Sequence, residues 1–460
     1  MVVIGSGPGG YVAALRAAQL KLSVALVERY PTLGGTCLNV GCIPSKALLD
    51  SSEKYFEVAK HLNEHGIEVS QVSLNWQKML ARKSQVVKQT IGGVEYLMRK
   101  NKIAVYHGHA RFISANEVIV EGGPKLYGKN FIIATGSKPA SLPNIPIDKK
   151  RIITSTEALS LPEVPKRLLI IGGGVIGVEM ASIFGRLGSE VIIIEFMDRL
   201  LPGMDADAAE ETRRILSTDY GAKILLGHVA HSAELLPHSI EVQVMPRQGG
   251  ETLKIEADYV LVAVGRKPYT EGLELEKAGI SLDDRGRIPV NDTLQTALPH
   301  IYAVGDVVRG AMLAHKASEE GIYVAERLAG YKPHLDYRCI PSVVYIWPEI
   351  ASVGYTEEEL RREGRSYRVG KFPYRASGRA RAAHETRGFV KILTDAQSDM
   401  LLGMHVVGAR AADLIAIGVA GLAYGASGED LFRLPLAHPT YSEAIKEAAL
   451  AASYGEALHL

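Results

Sequence analysis

The sequence predicts an α/β protein in which two copies of a parallel strand–helix–strand unit precede a C-terminal α+β segment. Three observations carry that prediction. A block of strand, glycine-rich turn, helix, strand and terminal acid occurs twice. Further apolar runs at 131–136, 260–265 and 301–306 read as buried strands that stop at a glycine or a Gly-Asp pair. From about Tyr337 the pattern changes to short strands, such as that at 389–393, set among helices.

The first copy opens with Val2-Val3-Ile4 and turns through Gly5-Ser6-Gly7-Pro8-Gly9-Gly10. It continues as a helix from Tyr11 to Leu20 and a strand from Ser23 to Val27 that ends at Glu28. The second copy opens with Leu168-Leu169-Ile170-Ile171 and turns through Gly172-Gly173-Gly174-Val175-Ile176-Gly177. A helix to about Leu187 and a strand from Val191 to Ile194 then lead to Glu195. Glu28 follows Gly5, and Glu195 follows Gly172, by the same 23 residues. Each residue type has a task. Gly5 and Gly172 permit the tight turn, Gly7 and Gly174 let the backbone approach a pyrophosphate, and Gly10 and Gly177 let helix and strand pack closely. The pyrophosphate then rests on free N–H groups at the helix N-terminus, and the acid accepts a hydrogen bond from a ribose. A glycine-rich turn alone is often only a turn. The whole block, occurring twice, predicts two Rossmann-like dinucleotide-binding domains.

Length and composition set the frame. At about 150 residues per domain, 460 residues suggest about three domains. Pattern changes divide the chain at 1–145, 146–264, 265–336 and 337–460, with the proline-rich stretch 139–146 as the linker into the second unit. Hydrophobic residues at 47% and charged residues at 22% exclude a disordered chain. Lys plus Arg total 52 against 51 for Asp plus Glu, so there is no basic footprint for nucleic acid or an anionic membrane. The apolar stretch 414–424 falls short of the roughly 20 residues of a bilayer span and reads as a buried helix. Three cysteines exclude a disulfide scaffold and read as a reducing compartment. The opening Met1-Val2-Val3-Ile4-Gly5 shows no targeting pattern, so a cytoplasmic location is expected.

Two of the cysteines lie in Gly34-Gly35-Thr36-Cys37-Leu38-Asn39-Val40-Gly41-Cys42-Ile43-Pro44-Ser45-Lys46. On an ideal helix, residues five apart are roughly 8–9 Å from Cα to Cα, whereas a disulfide needs about 4.4–6.8 Å. Bridging requires a distorted turn, for which Asn39 and Gly41 can supply the backbone, and Pro44 suits the first turn of the next helix. A metal site would need two more ligands, so none is expected. The alternatives are a redox-active disulfide beside a dinucleotide or two unrelated buried thiols.

With this segment the chain resembles the flavoprotein pyridine-nucleotide disulfide oxidoreductases, from Gly5 to the run Leu436-Ala437-His438-Pro439-Thr440-Tyr441-Ser442-Glu443. The form Ile43-Pro44-Ser45-Lys46 is similar to that of the branch oxidising dihydrolipoyl groups. The resemblance implies FAD on the first unit and its returning segment 265–336, NAD on the second unit, and a dimerisation domain over 337–460. Cys37 would exchange with substrate and Cys42 would face the flavin. Lys46 would pair with Glu179, and Asp306 would hold the ribityl chain, with Met312-Leu313-Ala314-His315 around the ring edge. Gly35, Thr36, Ala110, Gly136 and Ala314 are further implied FAD contacts, and Val229 and Gly265 further NAD contacts. His438 would be the base that takes the substrate thiol's proton, since the thiolate is the nucleophile, and Glu443 would fix its tautomer. In the family this histidine serves the other subunit's disulfide, which implies a homodimer.

The implied activity is oxidation of protein-bound dihydrolipoyl groups with reduction of NAD⁺ to NADH. Its partners would be the lipoyl and subunit-binding domains of an acyltransferase in a 2-oxo acid dehydrogenase complex. Glu195, with Asp198, favours NAD over NADP because it repels a 2′-phosphate; Arg199 argues weakly the other way. The alternatives are an NADH-dependent reductase of another small disulfide and a catalytically idle FAD-binding subunit, against which both cysteines, His438 and Glu443 speak. Cys339 reads as a small buried hydrophobe at a strand start. Lys21, where the family commonly has glycine, is expected to alter only a helix C-cap.

Overall fold

The computed structural model describes residues 1–460, which fall into two compact units. The first comprises Met1–Ala47, Gln77–Ala140 and Gly265–Leu335. Its five parallel strands lie in the order Ile301–Ala303, Phe131–Ile133, Val2–Ile4, Ala25–Glu28, Ala104–His107. Residues along each strand alternate between two cores. Val3, Leu26, Ile132 and Tyr302 enter one, while Val2, Ile4, Val27, Phe131 and Ile133 enter the other. Burial on both faces is why these strands read as uninterrupted apolar runs in the sequence. The strand order reverses between Val2–Ile4 and Phe131–Ile133. Beyond the carboxyl ends of strands at such a switch point lies the ligand crevice of an open α/β sheet, and Gly5 and Gly136 stand there.

The helix Pro8–Gln19 follows Gly5–Gly7 and packs on the helix Ala314–Leu328, where a Cβ on Gly321 would come 2.5 Å from Gly9 O. After the strand Phe131–Ile133, Ser137–Pro139 pairs antiparallel with Arg266–Pro268, and Ala140 N donates to Gly265 O at 2.9 Å. The stretch expected to be an open linker from residue 139 therefore begins as half of a two-stranded ribbon. Pairing the outgoing and returning chain satisfies backbone groups that a free linker leaves to water.

The second unit comprises Leu48–Trp76, Ser141–Val264 and Asp336–Leu460. Its parallel sheet runs Lys223–Leu226, Glu190–Glu195, Arg167–Ile171, Tyr259–Val262, Ile152–Ile153, again with the strand before the glycine-rich turn at its centre. Three antiparallel strands, His228–Leu235, Ile240–Pro246 and Leu253–Ala257, share a core with it through Val242 and Val244. The α+β part is an antiparallel sheet of Ser342–Val344, Glu349–Gly354, Leu401–Gly408, Phe389–Asp395 and Tyr367–Pro373. The helix Glu443–Tyr454 lies directly on it: a Cβ on Gly370 would come 2.0 Å from Ala448 O.

The apolar stretch expected to be a buried helix is the helix Ala411–Tyr424, but it is buried only along Ala411, Ile415, Gly418 and Gly421. Leu414, Ile417 and Leu422 are half-buried and Tyr424 is 89% exposed. Apolar composition does not reveal which faces of a helix find partners within the chain. No helix is long and apolar enough to cross a membrane.

A candidate redox site on a dinucleotide turn

The two glycine-rich turns have the same geometry. Gly5 and Gly172 adopt φ of +100° and +110°, and a Cβ on either would lie 2.4 Å from a carbonyl oxygen, of Ala134 and of Ala263. A Cβ on Gly10 would fall 1.8 Å from Gly5 O, and on Gly177 2.0 Å from Gly172 O, so helix and turn are in backbone contact at both places. At Gly7 and Gly174 a Cβ would meet nothing within 4 Å. The space before each helix N-terminus is open, as a pyrophosphate resting on the backbone requires. The acids also correspond. Glu28 Oε2 accepts from Ser6 N at 2.9 Å and Oε1 from Tyr30 N at 2.9 Å. Glu195 Oε2 accepts from Gly173 N and Oε1 from Met197 N at 2.7 Å. Each buried carboxylate is thus fixed at the turn, with lone pairs left for a ribose hydroxyl. The residues at both turns fit a dinucleotide.

The cysteine segment is mounted on the first turn. Gly34 N donates to Ser6 O at 3.0 Å and to Ser6 Oγ at 3.1 Å. Gly35, at φ +57°, lies so close that a Cβ there would come 2.7 Å from Gly7 Cα. Cys37 lies in the short helix Gly35–Val40, and Cys42 begins the helix Cys42–Lys60. The distortion between them is at Gly41, with φ −135° and ψ −114°. A Cβ on Gly41 would meet Thr36 O at 2.9 Å and Cys37 Cα at 3.3 Å, so glycine lets the second helix start against the first. Asn39 contributes through its side chain and not, as expected, through a turn backbone. Its Nδ2 donates to Leu33 O at 3.0 Å and Gly35 O at 2.8 Å.

The Cys37 and Cys42 side chains lie within hydrogen-bonding reach of one another. A hydrogen bond with Cys42, then burial and the neighbouring sulfur, push the Cys37 thiol far up. Thr36 is exposed and Lys46 half-buried in the same segment.

On the far strand end, Asp306 lies in the turn Gly305–Val307 and Ser137 Oγ donates to its Oδ2 at 2.5 Å. Arg266 Nε donates to Ser137 Oγ at 2.7 Å and its Nη2 to Ser137 O at 2.8 Å. Burial pulls the Arg266 guanidinium down, while the fields of Asp306 and Cys42 hold it up. A fully buried ion pair, Lys316 Nζ to Glu320 Oε1 at 2.8 Å, supports this turn, and Glu320 Oε2 accepts from Gly305 N at 2.7 Å. Ser6, Ser137 and Arg266 escape a reading of motifs, since their contacts join residues far apart in sequence, and Lys316 and Glu320 because their helical i,i+4 spacing does not announce burial. Ala110 is buried at the start of its strand, and Ala314 begins the helix that carries Lys316.

In the second unit, His438 Nδ1 lies 2.8 Å from Glu443 Oε1, and Glu443 Oε2 accepts from Thr440 N at 2.8 Å. Glu443 is the first residue of its helix, where the dipole favours an anion. Although burial pushes its carboxyl up, the Thr440 N–H and His438 hold it below the ordinary carboxylate range. The imidazole is therefore oriented by an anion through one nitrogen while its side chain is 79% exposed in the single chain. Glu179 is buried in the helix Val175–Arg186 and accepts from Tyr345 N at 3.1 Å. Arg199 is committed elsewhere, donating to Pro202 O at 3.1 Å and facing Glu358 at 3.7 Å. Val229 lies in the strand His228–Leu235, and Gly265 marks the return to the first unit at φ +111°. Cys339 is not the buried residue expected. It ends the turn Tyr337–Cys339, half-exposed, and burial and Asp336 push its thiol up to about 11.

Comparison with known proteins gives two consecutive family matches. Residues 1–321 match the family described as pyridine nucleotide-disulphide oxidoreductase, and residues 340–449 match that family's dimerisation domain. The whole chain is 49% identical to a mitochondrial dihydrolipoyl dehydrogenase of Arabidopsis thaliana, over 91% of that protein. It is 46% identical to one of Pisum sativum, over 92% of that protein. The HOCl-induced flavoprotein disulfide reductase RclA of Escherichia coli shares the fold at a TM-score of 0.87 and 30% identity, over 97% of this chain and 98% of that one. LpdA of Mycobacterium tuberculosis does so at 0.89 and 25% identity, over 97% and 98%. The relatives from Arabidopsis thaliana, Pisum sativum and Caenorhabditis elegans are mitochondrial, which overturns the expected cytoplasmic location. Cysteine count reports redox conditions and carries no address.

Proposed function

Since the chain belongs to the pyridine nucleotide-disulphide oxidoreductase family, we propose that it oxidises protein-bound dihydrolipoyl groups to lipoyl and reduces NAD⁺ to NADH. The observation that carries this reading is the seating of the Cys37–Cys42 segment on the first dinucleotide turn through Gly34, Gly35 and Ser6. FAD, when bound, supplies the two-electron link between the cysteine pair and NAD. Gly5, Gly7, Gly10, Glu28, Gly35, Thr36, Lys46, Ala110, Gly136, Asp306 and Ala314 would hold the flavin nucleotide. Gly172, Gly174, Gly177, Glu195, Val229 and Gly265 would hold NAD, with Glu195 selecting against a 2′-phosphate. Lys46 and Glu179 are assigned as an ion pair beside the flavin. The working division is 1–145 with 265–336 for FAD, 146–264 for NAD and 337–460 for dimerisation.

His438 takes the proton of one substrate thiol, and Glu443 stabilises the imidazolium that results. The thiolate attacks Cys37 Sγ, the Cys37–Cys42 bond breaks, and its electron pair goes to Cys42. The second substrate thiol then attacks the substrate's first sulfur, its proton passing to the departing Cys37 sulfur while His438 keeps the first proton. That closes the lipoyl disulfide and releases Cys37. In the reduced pair the proton is assigned to Cys37 and the charge to Cys42, the thiolate that faces the flavin. An oriented base on an exposed surface supports service to a second copy of the chain. So do the half-covered helix Ala411–Tyr424 and the dimerisation-domain match. The expected partners are a second subunit and the lipoyl and subunit-binding domains of an acyltransferase in a 2-oxo acid dehydrogenase complex.

Anaerobic reduction of the holoenzyme with dihydrolipoamide tests the reading. A long-wavelength thiolate–flavin band, then NADH on addition of NAD⁺, is expected. A band that forms with NADH but not with dihydrolipoamide would move the substrate to another small disulfide.

A further inference from the structure

Of the six buried residues on the helix Ala314–Leu328, four are small or apolar and two are Lys316 and Glu320, 1% and 0% exposed. Desolvation of two charges offsets much of what they gain from each other, and apolar residues of similar volume often leave a fold equally stable. An ion pair in such a place is explained by what it holds. Here both groups close on one backbone residue. Glu320 Oε1 takes the Lys316 ammonium at 2.8 Å, Glu320 Oε2 accepts from Gly305 N at 2.7 Å, and Lys316 Nζ donates to Gly305 O at 3.4 Å. Gly305 stands at φ +78° directly before Asp306, and a Cβ there would come 3.2 Å from Ala317 Cβ on the same helix. Gly310, at φ +94°, leaves the lysine its path, since a Cβ would come 2.9 Å from Lys316 Cε. Asp306 is thus fixed from two sides, its carboxylate by Ser137 Oγ at 2.5 Å and its backbone neighbour by the ion pair. Hydrogen bonds from or to a charged group are roughly twice as strong as neutral ones, so this turn has little freedom to swing.

We propose that Lys316 and Glu320 are positioning residues for the flavin: by holding Gly305 at both its N–H and its carbonyl, they keep the Asp306 carboxylate where a ribityl hydroxyl meets it. The inference rests on the reading of Asp306 as the ribityl contact. O–H···O hydrogen bonds span only about 2.5–3.0 Å, so a small displacement of Gly305 carries the carboxylate out of reach.

The test uses the full-length holoenzyme and needs no turnover. FAD released into a filtrate is followed by absorbance over time. Far-UV circular dichroism of the same samples reports folding, and visible circular dichroism reports flavin orientation. The double variant Lys316→Met/Glu320→Leu removes both charges together and frees Gly305. It should stay folded, show an altered visible band and release FAD at least about tenfold faster than wild type, the scale of one lost charge-assisted hydrogen bond. Lys316→Met/Glu320→Gln keeps an acceptor for Gly305 N and should recover most of the wild-type release rate. Wild-type release from the leucine variant overturns the proposal. So does equal acceleration in both doubles, which would assign the effect to charge and not to the hold on Gly305. Should the leucine variant fail to fold, Glu320→Asp takes its place: it keeps both charges, shortens the reach to Gly305 by one methylene and should likewise release FAD faster. Asp306→Ala separates the two levels: if it releases FAD at the wild-type rate with an unchanged visible band, the reading of Asp306 fails, whatever the ion pair does.

Discussion

The first and second glycine-rich turns can be laid over one another residue by residue, and of the positions at which they differ one carries a hydroxyl. Between the first two glycines stands Ser6 in one copy and Gly173 in the other. The Ser6 hydroxyl donates to Glu28 at 2.6 Å and accepts from Gly34 N at 3.1 Å. It joins the turn, Glu28 and the cysteine segment. At Gly173 that space is taken: a Cβ would come 2.4 Å from Leu200 Cδ2 and 3.1 Å from Glu195 Oε2. The repeated geometry fits a dinucleotide, and one hydroxyl makes the first copy also a mount for the cysteine segment. Cofactor binding and redox chemistry should therefore separate by mutation.

The largest effects should come from the parts the copies do not share. Cys37→Ser or Cys42→Ser should lower dihydrolipoamide oxidation by about 10³-fold or more, because the nucleophilic exchange has no substitute. Flavin content per chain, read from the visible spectrum, should stay at the wild-type level. A variant keeping a tenth of the activity would sink the assignment of the pair. The shared parts come next. Gly10→Ala and Gly177→Ala each drive a Cβ to 1.8 or 2.0 Å from a backbone oxygen with no flexible neighbour to yield. The first should purify without flavin. The second should keep flavin and lose at least about tenfold in kcat/KM for NAD⁺, about 1.4 kcal/mol of transition-state binding. Equal loss of flavin in both would break the separation.

Glu443→Gln should reduce kcat by about 10²-fold, the usual scale for losing support of a general base. Its pH signature has a definite sign. The carboxyl is held below its ordinary value of 4.5, so it stabilises the fold above that pH and ceases to as pH falls through the lowered value. Thermal unfolding should find the glutamine variant less stable than wild type at neutral pH and level with it in strong acid. Equal losses at both pH values would show that the carboxylate's charge is not what the site uses.

How much of this was legible in sequence depends on the range of the interaction. Both turns, their acids and the strands flanking them were readable because glycine spacing and continuous apolar runs are local consequences of close packing. The cysteine pair was readable as a pair, but its distortion was placed partly on Asn39, which proves to act through its side chain. Ser137, Arg266 and the buried Lys316–Glu320 pair were invisible. Arg266 meets Ser137 across 129 residues, and nothing in either local pattern announces it. The exposed flank of the helix Ala411–Tyr424 was misread as buried for the same reason, since a single chain's composition is silent about surfaces that need another chain.

Ser6→Ala isolates the one hydroxyl by which the turns differ. It removes two buried hydrogen bonds while leaving Glu28 bonded to Ser6 N, so a loss of about 1–2 kcal/mol in unfolding free energy is expected. The cysteine segment should be loosened with it. Faster alkylation of Cys37 in the reduced enzyme would show that, and an unchanged rate would mean Gly35 packing alone holds the mount.

The smallest effect tests how far the two copies are equivalent. Both helices end on a leucine, Leu20 with φ −82° and Leu187 with φ −86°, and the next residue is left-handed in each. In the second copy it is Gly188 at φ +98°, but in the first it is Lys21 at φ +68°. Glycine takes that conformation freely, whereas a side chain at positive φ costs roughly 1 kcal/mol. Lys21 N still donates to Ala18 O and Leu22 N to Ala17 O, both at 3.0 Å, so the cap closes despite the strain. Lys21→Gly should therefore stabilise the protein, though glycine's greater freedom in the unfolded chain takes back part of the gain. A net of about 0.5 kcal/mol is expected, read as a higher denaturant midpoint with unchanged slope. Gly188→Lys should cost about the same or more. If the two substitutions shift the midpoint in the same direction, the caps are not equivalent and the lysine contributes something beyond its backbone.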